Sequence, residues 1–160
     1  MRKYLVPLLA FLLFVPTVYA AGAGRDLHHN IGIATVIPPQ MTDNTNAIVG
    51  TIIDSNGYGA VEYAILTGAQ GDNNATFTVL LEDCAVANCS DNAAVADAYL
   101  LGTEAAASWT TDAKANTVLL LGYSGNKRYT RMTVTPAANT GDNFFGVTAI
   151  LGYPQVRPTR

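Results

Sequence analysis

The chain has 160 residues, 49% of them hydrophobic and only 13% charged, about half of the usual charged share of roughly 25%. That balance excludes a disordered chain, a coiled coil and a charged nucleic-acid-coating tail, and 14 glycines with 7 prolines exclude collagen-like and proline-rich designs. The length suits one domain with a single core.

The first 20 residues read as a secretory signal. Arg2 and Lys3 form a basic start, Tyr4 to Val15 is a run of twelve apolar residues broken only by Pro7, and Val18-Tyr19-Ala20 offers small residues for cleavage after Ala20 or Ala21. Twelve residues span about 18 Å as a helix, short of a bilayer core of roughly 30 Å, so no permanent membrane anchor is expected. Export would make the chain secreted or periplasmic. Beyond this leader the expected divisions are an N-terminal arm and first strand at 21–40, a core at 41–154 and a tail at 155–160.

Taking the two leader bases from nine leaves seven against twelve acids, a net of −5, which disfavours nucleic acid as a partner. From Ala21 to Asp112 a single base, Arg25, faces eleven acids. From Ala113 onward six bases (Lys114, Lys127, Arg128, Arg131, Arg157, Arg160) face one acid, Asp142. Such a chain can associate head to tail, unless the strands interleave and mix the charges within one molecule.

Short β-like runs separated by turn signals follow. Ile31 to Ile37 ends at Pro38-Pro39, Ala47 to Ile53 closes on the turn Asp54-Ser55-Asn56-Gly57, and Val61 to Thr67 precedes the turn cluster Gly68 to Asn74. Thr76 to Glu82 puts Phe77 and Val79 on one face. Tyr99-Leu100-Leu101 reads as a short strand, with one helical turn allowed near Glu104 in an Ala-rich stretch that lacks a long 3.6-residue period. Thr117 to Tyr123 is almost continuously apolar and reads as a central strand covered on both faces. Arg128 to Thr135 sets Thr130, Met132 and Val134 against Tyr129, Arg131 and Thr133, and Phe144 to Tyr153 is the last run. The expectation is an all-β chain: an antiparallel β-sandwich of about eight strands, jelly-roll-like, with Trp109, Phe77, Phe144 and Phe145 as core aromatics.

Cys84 and Cys89 stand in a C-x4-C spacing, close enough for a disulfide across a tight loop in an oxidising compartment, with two thiols as the alternative in a reducing one. Neither a metal site nor an enzyme is expected. His28 and His29 are the only histidines and point to opposite faces of a strand, no Gly-x-Ser-x-Gly elbow exists, and no glycine-rich loop follows a strand to hold a nucleotide cofactor. The turns Asp72-Asn73-Asn74 and Asp91-Asn92 offer oxygen donors but lack EF-hand spacing. The candidate partner-binding residues are Lys127, Arg128, Tyr129 and Arg131, where an aromatic between cations can stack on a sugar or meet carboxylates.

Asp26-Leu27-His28-His29-Asn30-Ile31, Leu100-Leu101-Gly102-Thr103-Glu104, Gly122 to Arg131 and Ala149-Ile150-Leu151-Gly152-Tyr153-Pro154 resemble a family of small, mostly uncharacterised proteins of tailed bacteriophages and prophages, encoded among head and structural genes. The resemblance runs from about Asp26 to Pro154. It implies a non-enzymatic virion structural protein, a capsid decoration or minor head protein whose partners are other virion proteins or copies of itself, and it supplies no catalytic residues. The leader and the cysteine pair fall outside the pattern. Lys-Arg-Tyr-x-Arg is also similar to strands of sugar-binding discoidin-like jelly rolls, so an exported module for carbohydrate or a cell-surface partner is the alternative, and an extracellular filament whose arm adds a strand to the next copy is a third.

Overall fold

The computed structural model describes residues 26–110 and 112–156. The signal-like leader, the start of the arm and the last four residues of the tail lie outside them. Among the described residues there are eleven strands: β1 (Ile31–Thr42), β2 (Ile48–Val49), β3 (Ile53–Asp54), β4 (Tyr58–Gln70), β5 (Thr76–Cys84), β6 (Ala93–Ala94), β7 (Leu100–Leu101), β8 (Trp109–Thr110), β9 (Val118–Tyr123), β10 (Tyr129–Ala137) and β11 (Asn143–Pro154). Helix α1 (Glu104–Ala107) is a single turn, capped where Thr103 Oγ1 accepts from the Ala106 amide.

The strands form two antiparallel sheets. One has the order β1-β11-β4-β9-β7, and the other is built on β2-β10-β5-β6, with β3 also paired to β10 and β8 to β5. The chain crosses repeatedly from one sheet to the other, so the first strand lies beside the last, β2 and β3 lie beside β10, and β4 lies beside β9. This is the double Greek key of a jelly roll, the expected fold.

Alternation along the strands fills the space between the sheets. Phe77, Val79 and Leu81 of β5 and Thr130, Met132 and Val134 of β10 point inward against Tyr63, Ile65, Leu121, Val147 and Ala149 of the five-stranded sheet. Phe77 stacks on Trp109 with ring centroids 4.6 Å apart, and Phe145 meets both edge-on. The buried Tyr63 hydroxyl bonds Thr130 Oγ1 at 2.6 Å across the core, and burial pushes this phenol far up.

Four expectations are corrected. Pro38-Pro39 does not end the first strand: β1 is an edge strand, needs no amide donor on its outer side, and absorbs the prolines in two register shifts between Thr35 and Gln40. Residues 31–42 are therefore part of the sandwich, paired with β11 of the same chain, and not an arm laid on a neighbour. The 47–53 run splits into β2 and β3 because Gly50 donates to Met132 O while Thr51 donates to Val36 O, bridging the two sheets; a Cβ at Gly50 would lie 2.6 Å from Val36 Cγ1 and 2.8 Å from Met132 O. Finally, Phe144 is 45% exposed and β9 is not covered on both faces, since Val118 and Leu120 are 58% and 56% exposed. A continuous apolar run does not distinguish a doubly covered strand from one whose outer side is apolar and open.

Candidate interaction surface

The basic residues singled out in the sequence are brought together, and each cation meets a carboxylate of the same chain. Register places Arg131 opposite Glu82 and Tyr129 opposite Cys84 and Asp54. Arg131 Nη2 donates to Glu82 Oε2 at 2.8 Å, Lys127 Nζ meets Asp83 Oδ1 at 2.8 Å, and Arg128 forks onto both Asp54 oxygens at 2.7 and 2.6 Å. The Tyr123 hydroxyl donates to Asp83 at 3.0 Å and accepts the Lys127 amide at 3.0 Å. Arg128 also lies over the Tyr129 ring, 5.0 Å from its centroid. Hydrogen bonding to Arg128 holds Asp54 below the ordinary carboxylate range, and the Asp83 bond lifts Lys127 above the ordinary amine value. Three acids of the first part, Asp54, Glu82 and Asp83, therefore pair with three bases of the last inside the molecule, the interleaved alternative to head-to-tail association.

The acidic turns also look inward. Asp72 accepts from the amide and hydroxyl of Thr140 at 2.8 and 2.9 Å, and Asp91 accepts from the Ala85 amide at 2.9 Å. These backbone bonds lower both carboxyls. Asp91 braces the loop closed by the Cys84–Cys89 disulfide, whose Cα atoms are 5.1 Å apart. Among the described residues, no group of three or more metal-ligating side chains occurs, and no helix is long and apolar enough to cross a membrane.

The larger unassigned feature is the outer face of the five-stranded sheet. Cross-strand register sets Ile33, Ile150, Glu62, Gly122 and Leu101 in one row, Thr35, Thr148, Ala64 and Leu120 in the next, and Gly146, Leu66 and Val118 below. Ile33, Leu66, Leu101, Val118 and Leu120 are each between 47% and 59% exposed. Phe144 and Met41, opposite one another in register, continue this surface at its end. There the bulged β1 and the side chains of Leu66 and Phe144 enclose a groove of about 640 Å³ over Gly146. Isolated apolar residues on a surface are ordinary, but a contiguous face drawn from five strands is what interaction sites look like.

Glu62 is the one ionisable residue in these rows. Its carboxylate lies across Gly122, where a Cβ would stand 2.7 Å from Glu62 Oε2 and 2.9 Å from Leu101 Cβ. Partial burial among apolar neighbours raises the Glu62 carboxyl above its ordinary value. The sequence carried two signs of this face, the unbroken Val118-Leu119-Leu120-Leu121 and the alternation Glu62, Ala64, Leu66. Neither can be assigned to an outer side without the register.

No family model matches the chain, and no curated protein matches it. Among solved structures it is similar to the Clostridium thermocellum N-terminal endo-1,4-β-D-xylanase 10B, CBM22-1–GH10 modules complexed with xylohexaose, with a TM-score of 0.40 and 12% identity over 81% of this chain and 27% of that one. The chain thus spans about a quarter of that structure's length.

Proposed function

We propose that this chain is a non-enzymatic structural subunit that assembles through protein–protein contacts made by the outer face of its five-stranded sheet, in the setting the sequence resemblance implies, a tailed-phage virion. The observation that carries this reading is the contiguous apolar face itself, half exposed along Ile33, Leu66, Leu101, Val118 and Leu120. Keeping such a face in water is costly, and covering it with a matching protein surface recovers about 25 cal/mol for each Å² of apolar area removed from water. A shallow, sheet-shaped surface with Glu62 as the one ionisable residue of its rows suits a broad partner repeated many times in an assembly, where individually weak contacts add up.

The competing reading is a carbohydrate-binding module centred on Tyr129. Its ring is partly covered by Arg128, which Asp54 holds in place, so a sugar would have to use the other side. The two readings separate in one experiment. Leu120→Arg and Tyr129→Ala are expressed in place of the native chain, and the copies per purified particle are measured alongside binding to a glycan array. Leu120→Arg is expected to deplete the chain from particles about tenfold or more while Tyr129→Ala leaves it in place. Particle content indifferent to Leu120→Arg sinks the assembly reading, and glycan binding lost in Tyr129→Ala establishes the other.

A further inference from the structure

We infer that the partner on this face is a second copy of the chain, and that Glu62 acts as the latch that makes their association depend on acid. The inference rests on the assembly reading above and names the occupant of that same surface.

Size argues first. Strands β1, β11, β4 and β9, about 4.8 Å apart and each contributing about six residues at roughly 3.3 Å, with the two residues of β7 at the edge, make a footprint on the order of 400 Å². Side-chain relief makes the accessible area larger than the footprint, so two such faces together cover on the order of 1,000 Å², the least that a specific interface needs. A single added strand or a small apolar molecule fits the groove over Gly146 but leaves Leu101, Val118 and Leu120 bare. Only another flat sheet covers all three.

Shape argues next. The face alternates ridges, Ile33, Ile150, Leu66 and Leu120, with floors at Ala64, Gly122 and Gly146, so it carries both halves of an interdigitated sheet-on-sheet packing. β4 is the middle strand of the five. A two-fold axis in the plane of the interface and through the middle of the face, the isologous arrangement that covers the face most fully, sets β4 across β4. Both copies of Glu62 then lie inside the contact.

That position has a chemical consequence. Register places Ile150 and Gly122 beside Glu62, with Ile33 and Leu101 one strand further out, so no residue of β1, β7, β9 or β11 in its row is charged or titratable. Among the described residues, a charged carboxylate sealed there has no cation in its row to meet, whereas a protonated one is neutral and can hydrogen-bond. Burial already raises this carboxyl in the single molecule, and a second sheet over it acts in the same direction. Association is therefore fullest when Glu62 is protonated and weakens as pH rises through the raised value. The chain's net negative charge also opposes association more at neutral than at acid pH, so a variant at position 62 must separate the two effects.

The experiment is sedimentation equilibrium of the chain as isolated, at about pH 5 and about pH 7.5, on either side of the range in which a raised glutamate titrates. Wild type, Glu62→Gln and Leu120→Arg are compared, with circular dichroism and non-reducing mass confirming the fold and the disulfide. The expected result is a dimer at least about tenfold tighter at the lower pH, the size of one unit of pKa displacement. Glu62→Gln should be dimeric at both values and Leu120→Arg monomeric at both. Monomers throughout, Glu62→Gln included, overturn the second copy as occupant, while depletion of Leu120→Arg from particles would still uphold assembly through this face. A dimer that survives Leu120→Arg overturns the face. A dimer whose pH dependence persists in Glu62→Gln overturns the latch.

Discussion

Glu82 and Arg131 stand directly opposite one another in the register of β5 and β10, and two guanidinium nitrogens of Arg131 reach the same carboxylate oxygen, Oε2, at 3.1 and 2.8 Å. The other oxygen of Glu82 accepts from Asn92 Nδ2. Both partners are well covered, with side-chain exposures of 11% and 22%. Replacing Arg131 by Met should leave Glu82 half-paired in a poorly solvated place and cost about 1–2 kcal/mol in urea unfolding, a buried-pair penalty reduced for residual solvent access. Arg128→Met removes a pair whose side chains are 49% and 44% exposed, so its smaller loss should shrink further in high salt. Equal losses for the two variants would contradict this ranking.

The Cys84–Cys89 bridge closes a short loop, at a sequence separation of five. Chain-entropy reasoning assigns such a loop about 2 kcal/mol. Replacing both cysteines with Ala should lower stability by that amount and leave the sheets intact. Asp91, through the Ala85 and Val86 amides, continues to hold the loop start. Far-ultraviolet circular dichroism with urea titration reads both outcomes, and loss of the folded signal would show that the bridge does more than restrict the unfolded chain.

Gly50 sits where backbone must pass between the sheets. Because a methyl there meets the Met132 carbonyl oxygen at 2.8 Å, and backbone in a paired strand cannot step aside, Gly50→Ala should destabilise by about 1–3 kcal/mol. Gly57, with open space around its Cβ direction, is strained by substitution only through its φ of +84°, and Gly57→Ala should cost about 1 kcal/mol. Thermal melts of the two variants give the ordering, and a larger loss at Gly57 would contradict the clash.

Asp54, Asp72 and Asp91 all have lowered carboxyls, the first through its bond to Arg128 and the other two through backbone amides. A lowered value in the folded state means stability that is complete above the ordinary carboxylate range, near pH 4, and is lost as pH falls through the folded values. Glu62 has the opposite sign, since its raised value favours the folded state below the ordinary range and that advantage fades as pH rises. Three lowered groups against one raised group predict a net decline in stability below about pH 4. Urea midpoints across pH should show it, and Asp72→Asn with Asp91→Asn should flatten it; an undiminished decline in that double variant would assign the acid sensitivity elsewhere.

Where a local signal sufficed, the sequence was readable. Alternation placed Phe77, Val79, Met132 and Val134 inside, spacing joined Cys84 to Cys89, and the helical turn near Glu104 formed where Thr103 caps it and Glu104 itself accepts the Leu81 amide at 2.7 Å. What could not be read depended on register between distant strands. Glu82 and Arg131 are 49 residues apart and Asp54 and Arg128 are 74 apart, so a stretch that looks like an exposed basic strand is neutralised by acids from elsewhere in the chain. The outer apolar face was hidden for the same reason, because an unbroken run such as Val118 to Leu121 does not declare which side is covered.

Leu120 and Leu121 turn that ambiguity into a measurement. They are neighbours on β9, and one is 56% exposed while the other is fully buried. Leu121→Ala opens a cavity in the core and should cost about 2–5 kcal/mol in the unfolding of the isolated chain. Leu120→Ala removes a side chain already half in water, and its effect on the same unfolding should stay within about 0.5 kcal/mol. In association the order reverses. Leu120→Ala thins the outer face and should weaken assembly, while Leu121→Ala, assayed where it is still folded, leaves that face unchanged. A chain in which both leucines act on stability alone has no use for its outer face, and assembly would then have to be sought on another surface.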